Sequence, residues 1–362
     1  MQATKKKMLY IMGVDWEWIY QRPHVIAEYL SRDYDVTVAY PVKLWDSHIA
    51  KRSEREPAKI QKLKLWTLPF QRKSKLVGRI ADWYKRGLLK NCQRYDYIYI
   101  SYPIDIEYIS ADYKGILIYD CIDDYEQMCR DENWQERVRQ DEKFLLQRSD
   151  IVFVSSQNLW EKKVDLCNNS LNLVRNGTGF QKIFDVKSAV IKERYLLGYI
   201  GTIAEWFDYD LIKNNSQKCK ALEYHLIGPC IRADQMRDNE IIYDGIVDHE
   251  RLQSYVKEYD CLIMPFVVNE IVQAVDPVKL YEYIAFGKCI ISVYYKELEY
   301  FRDYVYFYTS EKEYHELTDR LISQGFPPKY NREQQEEFLS ENSWEKRYQN
   351  IHQLIERLNP KE

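Results

Sequence analysis

The sequence predicts an α/β protein with two doubly wound, Rossmann-like domains, each built on a parallel sheet. The length of 362 residues is typical of a two-domain chain with ample buried cores. Short apolar runs alternate with amphipathic stretches along most of the chain, and the alternation is interrupted near 177–195. Apolar strands separated by helices are typical of parallel sheets covered on both faces.

Two series of candidate strands flank this interruption. The segments are 7–13, 34–41, 63–69, 95–103, 115–121 and 150–156, then 196–201, 223–229, 241–247, 259–266, 289–293 and 305–308. Amphipathic stretches at 22–32, 75–91, 130–148, 249–258 and 278–286 predict helices between them. The polar region 331–358 predicts further helical structure, with a helix start at Ser343. We therefore expect one domain over 1–180, a second over 181–340, and a C-terminal helix within 341–362.

The composition is that of a soluble globular protein, with 46% apolar and 30% charged residues. A net charge of −4 excludes a generally basic protein that coats nucleic acid. Between Lys51 and Arg94, however, 14 Lys and Arg residues stand against 3 acidic residues. The rest of the chain is acidic, so this strongly cationic segment needs an explanation of its own.

Part of the cationic segment, 73–91, combines basic and apolar residues in a helical pattern. Its apolar members are Leu76, Val77, Ile80, Trp83, Tyr84 and Leu88, and its basic members include Lys75, Arg79, Lys85, Arg86 and Lys90. A basic amphipathic helix with aromatic residues favours binding to an anionic membrane surface. The alternative is a solvated charged face over the core. No nucleic-acid recognition motif accompanies the charge, so nucleic acid is not an expected partner.

Eight scattered cysteines show neither a CxxC pair nor zinc-ligand spacing, so we expect free thiols and no metal or other cofactor. The N-terminal apolar run is too short for a signal peptide, and no run approaches the ~20 apolar residues that span a bilayer. These features predict a cytoplasmic protein with reduced thiols.

The most informative segment is 276–292, DPVKLYEYIAFGKCIIS, which follows an apolar strand. Asp276 is expected to cap a helix that starts near Pro277, and its free N–H groups suit a diphosphate. Lys279 in the first turn can pair with phosphate oxygens, and Glu282 on the same face can accept both hydroxyls of a ribose. The alternative is a surface helix on which Lys279 and Glu282 form an ordinary i,i+3 pair.

Polar residues also follow predicted strands in the N-terminal half, where ligands bind in doubly wound sheets. Arg22 and His24, in the sequence QRPH, could contact an anionic substrate and orient a hydroxyl. Asp120, Asp123 and Asp124, in the sequence YDCIDDY, offer a carboxylate that could act as a general base. Asp123 and Asp124 are favoured equally, and helix capping with dipole compensation is the alternative for all three.

Taken together, these segments resemble GT-B glycosyltransferases, in particular bacterial polysaccharide enzymes of the family 4 kind. The similar segments are LLGYIGTIAEWFDYDLI (196–212), YHLIGP (224–229), DGIVDHERLQSYVKEYDCLIMPF (244–266) and 276–292, together with WEWIYQRPHVIAEYL (16–30), YDCIDDY (119–125), VFVSSQNL (152–159) and VRNGTGF (174–180). The resemblance covers nearly the whole chain. It implies that the first domain binds an acceptor, that the second binds a nucleotide sugar in a facing cleft, and that the C-terminal helix returns to the first domain.

The resemblance also implies roles for particular residues. Lys279 matches the lysine that contacts the donor diphosphate, and Glu282 matches the second glutamate of the family's E-x7-E pair. Ala274 stands where the first glutamate belongs, which departs from the retaining pattern; Asp276 or Glu270 are the candidate substitutes. The remaining donor-binding candidates are Gly201, Pro277 and Tyr281. Glu205 and Trp206, which stand where the family often has a basic residue, join Arg22 and His24 as acceptor-binding candidates.

The resulting expectation is a glycosyltransferase of the hexosyltransferase type. It would move a sugar from a nucleotide-sugar donor, a UDP-sugar in our interpretation, to a lipid-linked or polysaccharide acceptor in cell-surface glycan synthesis. If it inverts, one aspartate of 120–124 is the base. The alternatives are a nucleotide-sugar 2-epimerase and a noncatalytic sugar-nucleotide-binding partner, the latter favoured by Ala274 and by the missing basic residue after Gly201.

Overall fold

The computed structural model describes residues 5–18, 20–43, 60–71, 74–186, 188–230, 241–247 and 249–358. The chain divides into two compact units. The first comprises Met1–Arg175 together with Arg347–Glu362, and the second comprises Asn176–Lys346. Each unit contains one parallel sheet, as described below.

The first unit is built on a seven-stranded sheet in the order β3-β2-β1-β4-β5-β6-β7. Its strands are β1 (Lys7–Ile11), β2 (Asp35–Lys43), β3 (Gln61–Thr67), β4 (Tyr97–Ile100), β5 (Ile116–Cys121), β6 (Ile151–Val154) and β7 (Ser170–Leu173). Every pairing is parallel. The central strands β4, β5 and β6 are buried along their whole length, because helices cover both faces.

Four helices connect these strands in the described part of the first unit. They are α1 (Arg22–Leu30), α2 (Lys75–Leu89), α3 (Glu132–Arg148) and α4 (Gln157–Lys163). A 3-10 turn at Pro103–Tyr108 follows β4 and packs against both α2 and α3. Side chains cap α2, α3 and α4: Ser74, Asp131 and Ser156 each accept a hydrogen bond from a first-turn backbone N–H.

The second unit repeats the architecture with a six-stranded parallel sheet in the order β10-β9-β8-β11-β12-β13. Its strands are β8 (Tyr195–Ile200), β9 (Leu222–Ile227), β10 (Ile241–Gly245), β11 (Cys261–Met264), β12 (Cys289–Val293) and β13 (Tyr306–Tyr308). Its helices are α5 (Tyr209–Lys218), α6 (His249–Glu258), α7 (Glu270–Gln273), α8 (Val278–Ala285), α9 (Glu311–Gln324) and α10 (Arg332–Glu341), and α11 (Trp344–Glu356) follows.

The predicted fold class, two doubly wound parallel sheets, is confirmed. The predicted C-terminal helical region consists of two helices, α10 and α11, which are separated at Asn342–Ser343. Ser343 caps α11, because its side chain accepts a hydrogen bond from the Lys346 N–H at 3.2 Å. From Arg347 onwards α11 belongs to the first unit. There the Tyr34 hydroxyl donates to Glu356 Oε1 at 2.7 Å, which fixes the end of α11 beside the start of β2.

Among the residues that the structure describes, no helix is long and apolar enough to cross a membrane. In the same part of the chain no group of three or more His, Cys, Asp or Glu side chains is arranged to hold a metal ion. All eight cysteines are free thiols; Cys92, Cys121, Cys261 and Cys289 are buried, and the other four are half-buried.

Candidate functional site

The strand order of the second unit reverses at β8, since β9 and β10 lie on one side of it and β11 to β13 on the other. In doubly wound sheets, ligands bind beyond the carboxyl ends of the strands at this reversal. Gly201 follows β8 directly, and the chain after β11 leads through α7 to α8. The residues that the sequence analysis associated with a diphosphate are therefore found around one end of this sheet.

Gly201 is required at its position by both backbone conformation and space. Its φ of +145° lies in a region that other residues rarely adopt, and a Cβ there would lie 2.1 Å from Lys279 Cε. Gly228, which follows β9 with φ +131°, is equally constrained: its Cβ would lie 2.2 Å from the Gly201 carbonyl oxygen. Gly201 thus leaves room for the Lys279 stem at the end of β8, and Gly228 leaves room for the close approach of the Gly201 backbone.

Lys279 presents a cation at this point. It is half-buried, with Nζ 5.8 Å from the ring centroids of both Tyr199 and Phe266. Burial lowers the pKa of Lys279, and the nearby Glu282 carboxylate opposes that shift. Among the described residues Lys279 makes no hydrogen bond and no ion pair within 4.0 Å. A half-buried ammonium that no described residue binds through a hydrogen bond or ion pair suits an anionic ligand.

Glu282 lies one helical turn further along α8 and is also half-buried. Burial raises its pKa to about 7, although the charge of Lys279 acts in the opposite direction. Its carboxylate makes no hydrogen bond with any residue in the described ranges. Glu282 therefore retains its capacity to accept hydrogen bonds from ligand hydroxyls.

The start of α8 differs from the prediction. Pro277 occupies the N-cap position, and the expected capping by Asp276 is wrong, because no side chain caps this helix. Asp276 is buried and instead accepts from the Asn176 backbone N–H at 2.6 Å and from the Tyr281 hydroxyl at 3.0 Å. Within the described residues the N-cap position of α8 thus makes no side-chain capping bond, which favours an anion at this helix start. Pro277 and Tyr281 are themselves buried, and their donor-binding roles stay predictions.

The remaining candidates of the second unit lie on the short helix α7, at its end, or on the loop that follows Gly201. Ala274 is buried at the end of α7, whereas Glu270 at the start of α7 is exposed. Glu205 and Trp206 are exposed on the loop after Gly201, and the Trp206 carbonyl accepts from the Val267 N–H at 2.8 Å. Glu205 and Trp206 therefore belong to the same unit as the donor-binding candidates, and their acceptor-binding role stays a prediction.

In the first unit, Arg22 and Asp120 form a buried pair. Arg22 is 3% exposed and donates from Nε and Nη2 to the two carboxylate oxygens of Asp120, at 3.1 and 2.9 Å. A third bond runs from Nη1 to the Val174 carbonyl at 2.7 Å, and the Tyr99 hydroxyl donates to Asp120 at 3.0 Å. Burial by itself lowers the pKa of the Arg22 guanidinium. The charge of the Asp120 carboxylate and its hydrogen bonds have a larger effect in the opposite direction, so the pKa is raised. These contacts give both residues a structural role.

We expect the Arg22→Leu variant to lower the free energy of unfolding by about 3–5 kcal/mol, because it leaves the Asp120 carboxylate buried without its partner. Urea denaturation measures this loss, and the Arg22→Leu/Asp120→Leu double variant should recover part of it. If the variant is as stable as the wild type but has a higher KM for the acceptor, Arg22 is instead an acceptor contact.

His24 also has structural contacts for both ring nitrogens. The Gln21 backbone N–H donates to Nδ1 at 3.3 Å, and Nε2 lies 3.2 Å from the Asp15 carbonyl oxygen. The imidazole is fully buried at the start of α1, where it completes a capping box. The role of His24 toward an acceptor stays a prediction that these contacts do not favour.

Asp123 and Asp124, which the sequence could not separate, differ clearly in the structure. Asp124 is buried and pairs with Lys162, whose Nζ lies 2.7 Å from Oδ2. Asp123 is half-buried, and within the described residues its carboxylate makes no hydrogen bond. Burial, and then the negative charge of Asp124, raise the pKa of Asp123 to about 7. Asp123 therefore combines a carboxylate that no described residue binds with a pKa suited to proton transfer near neutral pH, whereas the Asp124 carboxylate is paired with Lys162.

Several residues that contribute to these two sites were not predicted from the sequence. Tyr199 and Phe266 flank Lys279, Lys162 neutralises Asp124, and Tyr99 supports Asp120. Gly228 stood in the quoted segment YHLIGP without an assigned role. A glycine directly after an apolar strand was the only available signal for it; the aromatic and lysine partners are ordinary residue types that gave none.

Comparison with known proteins shows the fold and a distant relative. No protein-family model matches the chain. The putative teichuronic acid biosynthesis glycosyltransferase TuaH of Bacillus subtilis (strain 168) is 26% identical over 163 residues, 41% of this chain and 41% of that protein. The chain thus matches less than half the length of this curated relative.

Solved structures match over nearly the full chain. Sucrose-phosphate synthase from Thermosynechococcus elongatus superimposes with a TM-score of 0.70 at 13% identity, over 97% of this chain and 99% of that chain. Anabaena HepE in complex with UDP and glucose gives 0.68 at 13% identity, over 98% and 100%. An E. coli trehalose-6-phosphate structure with bound UDP-2-fluoro glucose gives 0.69 at 8% identity, over 98% and 100%. The predicted GT-B fold is confirmed, while its family 4 form stays a prediction.

Proposed function

We propose that this protein is a glycosyltransferase that transfers a hexosyl group from a UDP-sugar to an acceptor hydroxyl. The observation that carries the proposal is Lys279, a half-buried cation that has no hydrogen-bond or ion-pair partner within 4.0 Å among the described residues and lies at the start of α8. The choice of UDP is supported by two structures of the same fold that contain UDP or a UDP-sugar analogue. TuaH, described as a glycosyltransferase, supports the class of reaction.

The donor half of the reaction needs stabilisation of the departing diphosphate. Negative charge grows on the diphosphate as the glycosidic bond breaks, so a fixed cation and oriented N–H groups lower the barrier. In this proposal Lys279 and the first turn of α8 supply them, and Gly201 keeps the lysine in position. Glu282 holds the ribose hydroxyls one turn away, as its free carboxylate allows.

The acceptor half needs a base that takes the hydroxyl proton as its oxygen attacks the anomeric carbon. We assign this role to Asp123 rather than to Asp120 or Asp124, because the latter two carboxylates are already paired with Arg22 and Lys162. A pKa of about 7 lets Asp123 accept a proton near neutral pH and release it afterwards.

This assignment makes the proposed reaction inverting. A retaining site of the family pattern would need a carboxylate at position 274, where the buried Ala274 offers none. Asp276 is a poor substitute, because Asn176 and Tyr281 already bind its carboxylate. Glu270 is exposed on the four-residue helix α7, which gives it no fixed partner toward a sugar.

The acceptor in this proposal is a lipid-linked or polysaccharide chain in cell-surface glycan synthesis, and the enzyme works at the inner face of the membrane. The support is the description of TuaH as an enzyme of teichuronic acid biosynthesis. An acceptor attached to lipid would also account for the cationic segment 51–94, part of which is described below.

A thermal-shift panel tests the donor assignment. We expect UDP and one or more UDP-sugars to raise the melting temperature, because a ligand that binds only the folded state stabilises it by mass action. ADP, GDP and TDP at the same concentration are the controls. At a ligand concentration of about 100 times Kd the stabilisation is roughly 2.7 kcal/mol. Equal shifts for all nucleotides, or none, would contradict the proposal.

Activity measurements separate the two alternatives from the transferase. A 2-epimerase would change the sugar of a UDP-sugar without an added acceptor, whereas a transferase needs the acceptor and releases UDP. A noncatalytic partner would bind the nucleotide sugar tightly and turn over nothing with any acceptor. The uncommitted Asp123 carboxylate favours the transferase over the noncatalytic alternative.

A further inference from the structure

Helix α2 exposes a row of large apolar side chains to solvent. Leu76, Ile80 and Trp83 are 70%, 49% and 77% exposed, and their spacing places them on one face of the helix. Phe70, on the turn that precedes α2, is 72% exposed and is held at φ +59°, where a bulky residue is uncommon. Leu76, Ile80 and Trp83 therefore form a solvent-exposed stripe, whereas Val77, Tyr84 and Leu88 of the same segment are half-buried.

The opposite face of α2 already has its partners in the first unit. Ala81 and Leu89 are buried, the Tyr84 hydroxyl donates to the Lys64 carbonyl at 3.3 Å, and the Tyr108 hydroxyl donates to Asp82 at 3.2 Å. The helix therefore packs on the first unit through this face, and the exposed stripe is not the face that contacts the core.

Cations lie beside the stripe on the exposed side of the helix. Lys75, Arg79 and Lys90 are exposed, and none of them forms an ion pair or hydrogen bond with the described residues. Arg86 is also exposed but pairs with Glu107 at 3.3 Å. No acidic residue of α2 is exposed, since its single acid, Asp82, is half-buried and binds Tyr108. The exposed surface of α2 is thus apolar and cationic throughout.

We infer that this face of α2, which we call the α2 face, is a docking surface for an anionic lipid bilayer. The cations match the phosphates of the lipid head groups, and the leucine, isoleucine and tryptophan side chains match the boundary between head groups and acyl chains. The inference does not depend on the proposed transferase activity.

Two other partners fit the α2 face less well. A second copy of the chain, related by a two-fold axis, would bring the same cationic face against itself, so the cations Lys75, Arg79 and Lys90 of the two copies would repel one another. A nucleic acid would use the cations but would leave the apolar row of Leu76, Ile80 and Trp83 in contact with phosphates and water.

Vesicle sedimentation with the full-length chain tests this surface. We expect binding to vesicles of 30% phosphatidylglycerol in phosphatidylcholine, weak binding to pure phosphatidylcholine, and loss of binding as NaCl is raised. Each cation near an anionic membrane contributes about fivefold to affinity, the equivalent of ~1 kcal/mol. The Lys75→Gln/Arg79→Gln/Lys90→Gln variant should therefore bind about a hundredfold more weakly.

A matched control removes the same charge elsewhere. The Lys213→Gln/Lys312→Gln/Arg320→Gln variant loses three exposed cations of the second unit and should keep wild-type binding. The Leu76→Ser/Ile80→Ser/Trp83→Ser variant should bind more weakly even at low salt, because it keeps the cations and loses the inserting side chains. Circular dichroism confirms that each variant is folded.

A fluorescence measurement examines insertion directly. Phosphatidylglycerol vesicles with brominated acyl chains should quench the fluorescence of Trp83, and the Trp83→Phe variant gives the signal of the other tryptophans. Three results would overturn the inference: equal losses of binding in the α2 and control charge variants, quenching unchanged by Trp83→Phe, or an apolar-stripe variant whose only change is a smaller oligomer in analytical ultracentrifugation.

Discussion

The Asp123→Asn variant is expected to lose about 10²- to 10⁴-fold in kcat while binding UDP as tightly as the wild type. The asparagine keeps the size of the side chain but cannot accept the acceptor proton, and general-base catalysis contributes a factor of this order. UDP release from the donor identified by the nucleotide panel measures kcat, and calorimetry measures UDP affinity. An Asp123→Asn variant with normal kcat would rule out Asp123 as the base.

The pH dependence of the reaction gives a second signature of the same residue. The base must be ionised to work, so kcat at saturating donor should fall as the pH drops below about 7, the value to which burial and Asp124 raise the pKa of Asp123. Glu282 titrates in the same range, but its protonation should weaken donor binding and so raise the donor KM. At saturating donor the effect of Glu282 protonation on donor binding is therefore suppressed, and the pH profile of kcat reports Asp123.

The Asp124→Asn variant is the control for this assignment. It removes the like charge beside Asp123 and leaves Lys162 without its partner, and both changes favour the ionised form of Asp123. The acidic limb of kcat should therefore move to lower pH while the maximal rate remains close to wild type. If kcat instead falls strongly and the acidic side of its pH profile stays at the wild-type pH, Asp124 is the base.

The second prediction with a large effect concerns Lys279. The Lys279→Met variant should bind UDP about 10- to 100-fold more weakly, because a hydrogen bond to a charged group contributes ~1.5–3 kcal/mol. Methionine retains the apolar stem that packs near Tyr199 and Phe266, so the fold should be unaffected. Calorimetric titration with UDP and with uridine measures the effect. Uridine lacks the diphosphate, so its affinity should not change.

The Gly201→Ala variant provides an independent check on this geometry. Its methyl group would occupy the space of Lys279 Cε, so the lysine should be displaced and UDP affinity should fall although the charge remains. Full UDP affinity in both Lys279→Met and Gly201→Ala would show that the diphosphate binds elsewhere. The Lys312→Met variant, on the exposed face of α9, controls for the loss of a lysine alone.

Features of the fold that depend on local sequence were predictable. The strands follow the apolar runs, and Lys279 and Glu282 share the first two turns of one helix, as their spacing of three residues requires. Ser343 caps α11 because a serine followed by helix formers specifies a helix start wherever the chain goes next.

Features that depend on distant partners were not predictable. Asp120, Asp123 and Asp124 are alike in sequence, and only Arg22 and Lys162, 98 and 38 residues away from their partners, distinguish them. Asp276 has the local signature of a cap, yet the Asn176 N–H, 100 residues earlier, binds its carboxylate. Strand β7, with the sequence SLNL, is short and only half-buried at the sheet edge, so it lacks the apolar run of an inner strand.

The division of the first unit between Met1–Arg175 and Arg347–Glu362 has a consequence for biosynthesis. A ribosome that adds 5–20 residues per second takes roughly 10 to 30 seconds to make the intervening part. During this delay the nascent chain lacks α11. The hydrogen bond from the Tyr34 hydroxyl to Glu356 therefore cannot form, and the surface around Tyr34 that α11 later covers is exposed to solvent. The second unit, which is continuous in sequence, can complete its folding before the first unit gains α11.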